Sequence, residues 1–304
     1  MFILLIFFSF IMRVIPSTKL SEAAKISDAW DDFLKQKYGG KNSSNKETSA
    51  FRDYTVAATE QPTVAAFYKE NHEKQTVEHV LAKKKLYGSL THGKMGIWDM
   101  LELMNTMVDE SDPDTSLSQI VHSLQSAEAA RRDSQPRWLI LTALIHDLGK
   151  YLFFLGEPQW TVVGDTFPVG CQFSDKIVHA EYLKENPDSH HPVYSTRFGL
   201  YSPNCGLDQV HISYGHDEYL YQVCKNYLPK EAAYIIRYHS FYSCHKEGQY
   251  GWLLNQEDVN MMKWVKIFNQ YDLYSKAEEK PNVEELKPFY MALISEYFPS
   301  KIKW

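Results

Sequence analysis

The sequence predicts an all-α protein, a single mostly helical domain with a few short strands or irregular loops. Three observations predict it. Stretches of helical length and periodicity follow one another along most of the chain. Alternation at the strand period is weak. The run "LTALIHDLGKYLFF" (141–154) is apolar around its whole circumference, which marks a helix buried in a core rather than lying on a surface.

Taken in order, "SEAAKISDAWDDFLKQKY" (21–38) reads as an amphipathic helix and "KNSSNKETSAFRDY" (41–54) as a polar loop. Residues 60–90 read as one long helix, with Pro62 in its first turn and Gly88 near its end. Further helices are expected at 96–108, 116–133 and 136–154, the last opened by Pro136. From 156 to 206 prolines and glycines break the pattern, as in irregular segments that carry function. Helices resume near 215–228, 230–241, 257–276 and 283–298. "WTVVG" (160–164) is the best short strand candidate. No repeat or linker divides the body.

With 304 residues, 44% hydrophobic and 23% charged, the composition is that of a soluble globular protein. A net charge of −6 argues against nucleic acid or an anionic membrane as the main partner. The 20 tyrosines and 7 tryptophans imply a bulky core. The four cysteines, Cys171, Cys205, Cys224 and Cys244, form no CxxC pair and are expected as reduced thiols in a cytoplasmic protein. The opening run "MFILLIFFSFIM" is short for a membrane span. It lacks the basic start and the cleavage site of a signal peptide. Residues 1–20 are therefore set outside the fold, 21–50 form an N-terminal helix and loop, and 51–304 form the functional domain, with no membrane association of that domain.

Several ionisable residues sit in apolar helical settings: His122 in "SQIVHSLQ", His146 and Asp147 in "ALIHDLG", His216 in "ISYGHDEYLY", His239 in "YIIRYHSFY" and Asp272 in "VKIFNQYDLYSK". Burying such groups unpaired is costly. Singly, an inward histidine is more often a hydrogen-bonded core residue than a ligand. Together, on several helices, they form the kind of set from which helical folds build metal sites. Nitrogen and oxygen donors without sulfur suit Fe, Mn, Zn or Ni. Neighbours on a helix diverge by about 100°, so His146 and Asp147 serve one site poorly but two adjoining ions well if Asp147 bridges them. Lys150, one turn after His146, would face the same site, and Gly149 would leave room for a ligand. Its bland alternative is a surface lysine. "VDESDPD" (108–114) is an acidic turn, or a set of acceptors for a polyhydroxylated ligand.

The histidine–aspartate pattern resembles the HD-domain superfamily of metal-dependent phosphohydrolases. More closely, the chain is similar to the myo-inositol oxygenase family through "FRDYT" (51–55), "VDESDPD", "LIHDLGK" (144–150), "GEPQWTVVGDTFPVGC" (156–171), "YGHDEYLYQV" (214–223), "IRYHSFY" (236–242) and "NQYDLYSK" (269–276). The resemblance implies an HD-like helical domain around a non-haem, mixed-valent Fe(II)/Fe(III) pair. The implied ligands are His122, His146 and Asp272 on one iron and His216 and His239 on the other, with Asp147 bridging. Implied substrate contacts are Arg52, Asp109, Glu110, Ser111, Lys150, Gly164, Asp165, His239 and Ser240, with Lys150 and Asp147 in catalytic roles. The implied reaction is O2-dependent, four-electron cleavage of myo-inositol between C1 and C6 to D-glucuronate by a monomer, the first step of inositol catabolism. A phosphohydrolase would need a basic phosphate pocket, whereas Arg52 and Lys150 are balanced here by Asp109, Glu110 and Asp165. A non-catalytic relative would be expected to have lost a ligand or Lys150.

Overall fold

The structure, a computed structural model, describes residues 62–107, 118–274 and 281–304. The expected helix at 21–38, the loop at 41–54, the boundaries at 20 and 50, and the candidates Arg52, Asp109, Glu110 and Ser111 lie outside the described residues.

The described chain is mostly helical. It comprises α1 (Pro62–Lys74), α2 (Val77–Tyr87), β1 (Lys94–Met95), α3 (Ile97–Met104), α4 (Gln119–Arg132), α5 (Arg137–Ile145), α6 (His216–Cys224), α7 (Lys230–Tyr238), α8 (Tyr242–His245), α9 (Gln256–Tyr274), α10 (Val283–Ser295) and β2 (Ile302–Lys303). Between α5 and α6 the chain runs through short 3-10 segments and turns, as the glycines and prolines there foretold. The two strands pair antiparallel, Lys94 with Lys303 and Met95 with Ile302. Trp304 is buried beside them and its indole N–H donates to the Met95 carbonyl at 3.2 Å.

α5 is the axle of the fold. Every residue from Leu139 to Ile145 is buried, packed among α4, α7, α9 and α10. At roughly 1.5–3 kcal/mol for each large apolar side chain taken from water, this short helix is a major source of cohesion. The continuous stretch Arg137–Leu155 is long and apolar enough to cross a membrane by length and composition, but 67% of it is buried within the protein.

Three local expectations are corrected. Residues 60–90 form two helices rather than one. At the break, Thr76 Oγ1 caps the His79 amide at 3.2 Å, Asp188 accepts the Val77 amide at 2.7 Å, and Asn186 donates to the carbonyls of His72 and Gln75. Thr76 is a local capping signal, whereas Asn186 and Asp188 lie over a hundred residues away, where no local pattern reveals them. Second, "WTVVG" is no strand. It forms a 3-10 turn, Gln159–Thr161, then a bend. Third, the expected helix 136–154 changes winding. α5 ends at Ile145, His146 caps it, and a 3-10 helix runs from Leu148 to Leu155.

Gly149 explains how closely this segment packs. A Cβ there would lie 2.0 Å from the carbonyl oxygen of His216, so the glycine makes room for the backbone entering α6 and not for a ligand. Gly149→Ala is expected to lower unfolding free energy by about 3 kcal/mol, the upper end for overpacking, because backbone must move; denaturant unfolding would check it. A second expectation concerns His79, whose Nε2 lies 2.7 Å from Thr161 Oγ1. Burial, reinforced by Lys83, lowers its pKa from 6.5 to about 4. Its neutral form is therefore favoured by folding. Its contribution to stability is complete above pH 6.5 and is lost as pH falls toward 4. In an NMR titration its ring should titrate near pH 4, well below a free histidine.

Candidate metal centre

The ends of α4, α5, α6, α7 and α9 converge on one buried cluster. His122 comes from the first turn of α4, His146 caps α5, Asp147 follows it, His216 opens α6, His239 caps α7 and Asp272 lies near the end of α9. All six are buried. Two groups of donor atoms, His122–His146–Asp147 and Asp147–His216–His239, each gather within 4.8 Å. Asp147 belongs to both. Its Oδ2 faces His146 Nε2 at 3.4 Å and His122 Nε2 at 3.9 Å, and its Oδ1 faces His216 Nε2 at 3.5 Å and His239 Nε2 at 3.9 Å. Asp272 Oδ1 closes the first group, 3.0 Å from His122 Nε2 and 3.4 Å from His146 Nε2.

Winding makes the His146–Asp147 pair work. The divergence expected for helical neighbours assumes that the helix continues, and it stops there. In the tighter 3-10 turn, positions three apart align. Lys150 accordingly lies over Asp147, its Nζ 2.9 Å from Oδ2 and 3.2 Å from Gln119 Oε1. Lys150 is only 6% exposed, which removes the surface-lysine alternative.

Backbone carbonyls set the imidazoles. The Nδ1 atoms of His146, His216 and His239 lie 3.0, 2.8 and 3.0 Å from the carbonyls of Ala143, Val162 and Ile236. A carbonyl only accepts, so each Nδ1 carries the proton and each Nε2 presents a lone pair to the cluster. His216 Nε2 and His239 Nε2 then face one another at 3.3 Å. With both rings neutral in these tautomers the two nitrogens would repel at that distance; a proton on one of them or a metal ion between them removes the repulsion.

The charges carry the same demand. Burial alone would raise the carboxyl of Asp147, but His146, Lys150 and His216 outweigh it and hold it well below the usual carboxylate range. Asp272 is likewise held far down, against burial, by hydrogen bonds with His122 and His146. Burial opposes charge on His216, yet Asp217 and Asp147 push it up to about 9. Burial, with His146 and His216 beside it, lowers His239. The carboxylates thus draw positive charge into the cluster, as protons on His146 and His216 or as a metal ion in their place. Donors each about 2.1 Å from one ion stand about 3.0–3.4 Å apart, close to the separations here. The residues fit a metal.

Of the remaining described candidates, Ser240 adjoins the cluster, and Gly164 and Asp165 lie in a turn tied to it through the backbone. Ser240 follows His239, and its Oγ donates to Asp217 Oδ1 at 3.2 Å. The Thr166 amide donates to the Ser240 carbonyl at 2.9 Å, so the turn carrying Gly164 and Asp165 is tied to the end of α7. Gly164 has φ +93°, and a Cβ would meet the Phe67 ring at 2.9 Å; the position requires glycine. Asp165 Oδ1 accepts from Tyr68 Oη at 3.4 Å. Two participants escaped the sequence reading. Asp217, 1% exposed, lies 2.8 Å from His216 Nε2 and 3.3 Å from His239 Nε2. Its signal was present, since His216–Asp217 repeats the dipeptide of His146–Asp147. Gln119, the partner of Lys150, had none.

Fold and donor set define a class: a mostly helical protein with a buried imidazole and carboxylate cluster that could hold metal. Comparison with known sequences narrows this to a family. The family model described as Myo-inositol oxygenase matches residues 61–304, and the chain belongs to that family. It is 51% identical over 268 residues to "Probable inositol oxygenase" of Oryza sativa subsp. japonica, covering 86% of this chain and 87% of that protein. It is 48% identical to "Inositol oxygenase" of Dictyostelium discoideum (85% and 91% covered) and 44% identical to "Inositol oxygenase" of Mus musculus (85% and 92%).

If Asp147 serves both groups and Asp272 one, their substitutions should differ. Asp147→Asn is expected to weaken both ions and leave well under one metal ion per chain, against about one in Asp272→Ala. Asp272→Ala should lose only the ion beside His122 and His146. Metal analysis of the loaded, purified proteins would tell them apart; equal, full occupancy in both would remove these carboxylates from the metal sites.

Proposed function

We propose that this protein is an enzyme that oxidises myo-inositol with O2, a four-electron ring cleavage between C1 and C6 that yields D-glucuronate. One oxygen atom enters the product and the other leaves as water. The observation that carries the reading is the two-sided carboxylate of Asp147, with one oxygen toward each histidine pair, in a chain of this family. Two irons are the metals proposed, a mixed-valent Fe(II)/Fe(III) pair. His122, His146 and Asp272 would hold one, His216 and His239 the other, and Asp147 both. When bound, the iron pair supplies Lewis acidity toward substrate hydroxyls and electrons for O2.

The protein's own groups would bind and orient the polyol. A neutral cyclic hexitol presents only hydroxyls, so selectivity depends on fixed donors and acceptors. Lys150 is held by Asp147 and Gln119 with its ammonium inside the cluster, where it would donate to a substrate oxygen and favour its deprotonated form. Ser240, whose proton is engaged by Asp217, presents its oxygen as an acceptor. Gly164 and Asp165 would contribute from the adjoining turn. Arg52, Asp109, Glu110 and Ser111 belong to the same proposed pocket by family resemblance. The buried setting excludes bulk water and strengthens each of these contacts. The protein would act as a cytoplasmic monomer on this small molecule, with residues 51–304 as its catalytic domain.

The test is O2 uptake by the iron-loaded, partly reduced protein with myo-inositol, with glucuronate assayed in parallel. One O2 consumed per glucuronate formed is expected. Lys150→Ala should retain its iron and lose about 10²-fold or more in kcat/KM. Absence of uptake from protein holding two irons, with release of phosphate from phosphate esters, would replace the oxygenase reading by a hydrolytic one.

A further inference from the structure

The ligands of the second proposed ion, His216 and His239, sit on two different helices. Their Nε2 atoms are 3.3 Å apart. Their carbonyl partners, Val162 for His216 and Ile236 for His239, orient each ring, but neither carbonyl links one helix to the other. The contacts that join the two helices therefore set the separation of these two ring nitrogens.

Two residues from each ligand lies a buried charge. Glu218 is two residues after His216, and Arg237 is two residues before His239. They are 3% and 7% exposed, and Arg237 Nε donates to Glu218 Oε2 at 2.7 Å. The pair is restrained on all sides. Arg237 Nη1 donates to Asp208 Oδ1 at 2.8 Å, Gln222 Nε2 donates to Glu218 Oε1 at 2.9 Å, and Lys84 Nζ of α2 lies 3.6 Å from Glu218 Oε1. The guanidinium stacks over Tyr221, 4.4 Å from the ring centroid. A buried ion pair is seldom more stabilising than an apolar replacement, while its geometry is far more specific. Here it joins α6 to α7 two positions along each helix from the histidines, and its contacts are with Asp208, Gln222, Lys84 and Tyr221 rather than with His122, His146 or Asp272.

We propose that Glu218 and Arg237 are positioning residues that clamp α6 to α7 and thereby set the separation of His216 and His239, so that the affinity for the second metal ion depends on them and the affinity for the first does not. This rests on the dinuclear reading above. Neither residue touches substrate or metal.

The discriminating variant is the full-length double substitution Glu218→Gln/Arg237→Met, which leaves no unpaired buried charge between these two positions and preserves most of the volume. Apoprotein would be titrated with cobalt(II) and followed by visible absorption, with circular dichroism to verify the fold. The wild type should take up two equivalents. The double variant should bind the first with unchanged affinity and the second at least about tenfold more weakly. After iron loading, KM for myo-inositol should rise more than kcat falls. Arg237→Lys keeps the charge but loses the planar fork, and should weaken the second ion alone to a smaller degree. It also serves if the double variant fails to fold. Two equally tight ions in a folded variant, or equal weakening of both, would overturn the clamp alone. A wild type that binds fewer than two ions would overturn the dinuclear reading and the clamp with it.

Discussion

Lone pairs and negative charges that repel one another are held together inside an apolar core. His146, His216 and His239 are committed by backbone carbonyls to present Nε2 inward, and Asp147 and Asp272 are held ionised among them. The cluster's internal ion pairs, His122 with Asp272 and Lys150 with Asp147, offset only part of the cost of burying so many charged and polar groups. The rest of the fold supplies the restraint, and the arrangement of the surrounding helices makes sense as the means of doing so.

Each donor stands at or near a helix end, where a chain changes direction and a side chain can be aimed. His122 is in the first turn of α4, His146 and His239 are at the last carbonyl-bearing turns of α5 and α7, and His216 opens α6. The buried α5 fixes the centre, and the change of winding after Ile145 aims the neighbours His146 and Asp147 into the same cluster while bringing Lys150 over Asp147. The close approach at Gly149 holds the start of α6 against that same segment. Packing and chemistry are thus enforced by the same contacts.

Helix positions were largely legible because periodicity is a local property. Stretches such as 116–133 and 283–298 enclose α4 and α10 with small errors at their ends. The breaks were not legible. That at Gln75–Thr76 is satisfied by Asn186 and Asp188, and that at His146–Asp147 has no breaker beyond one glycine, so both depend on tertiary partners. The cluster residues stood out one by one because charge in an apolar helix needs a reason. That they form one metal-binding set, with Asp147 bridging, was read from the residues; the assignment of each histidine and of Asp272 to one ion came from family resemblance alone. Asp217 was overlooked because the second histidine–aspartate dipeptide looked like the polar start of a helix. Glu218 and Arg237 resemble ordinary surface charges until their burial is known.

Val162 carries a consequence for engineering. Its one carbonyl accepts both the amide and the Nδ1 proton of His216, at 2.9 and 2.8 Å. Gly164 and Asp165 follow within three residues, in the turn that adjoins Ser240. A peptide span that short, about 10 Å when fully extended, transmits displacement almost undiminished. If the turn contacts the polyol as proposed, redesigning it would also displace the carbonyl that aims the His216 imidazole, and substrate choice and the character of the centre would not be independent variables for a designer or for natural variation.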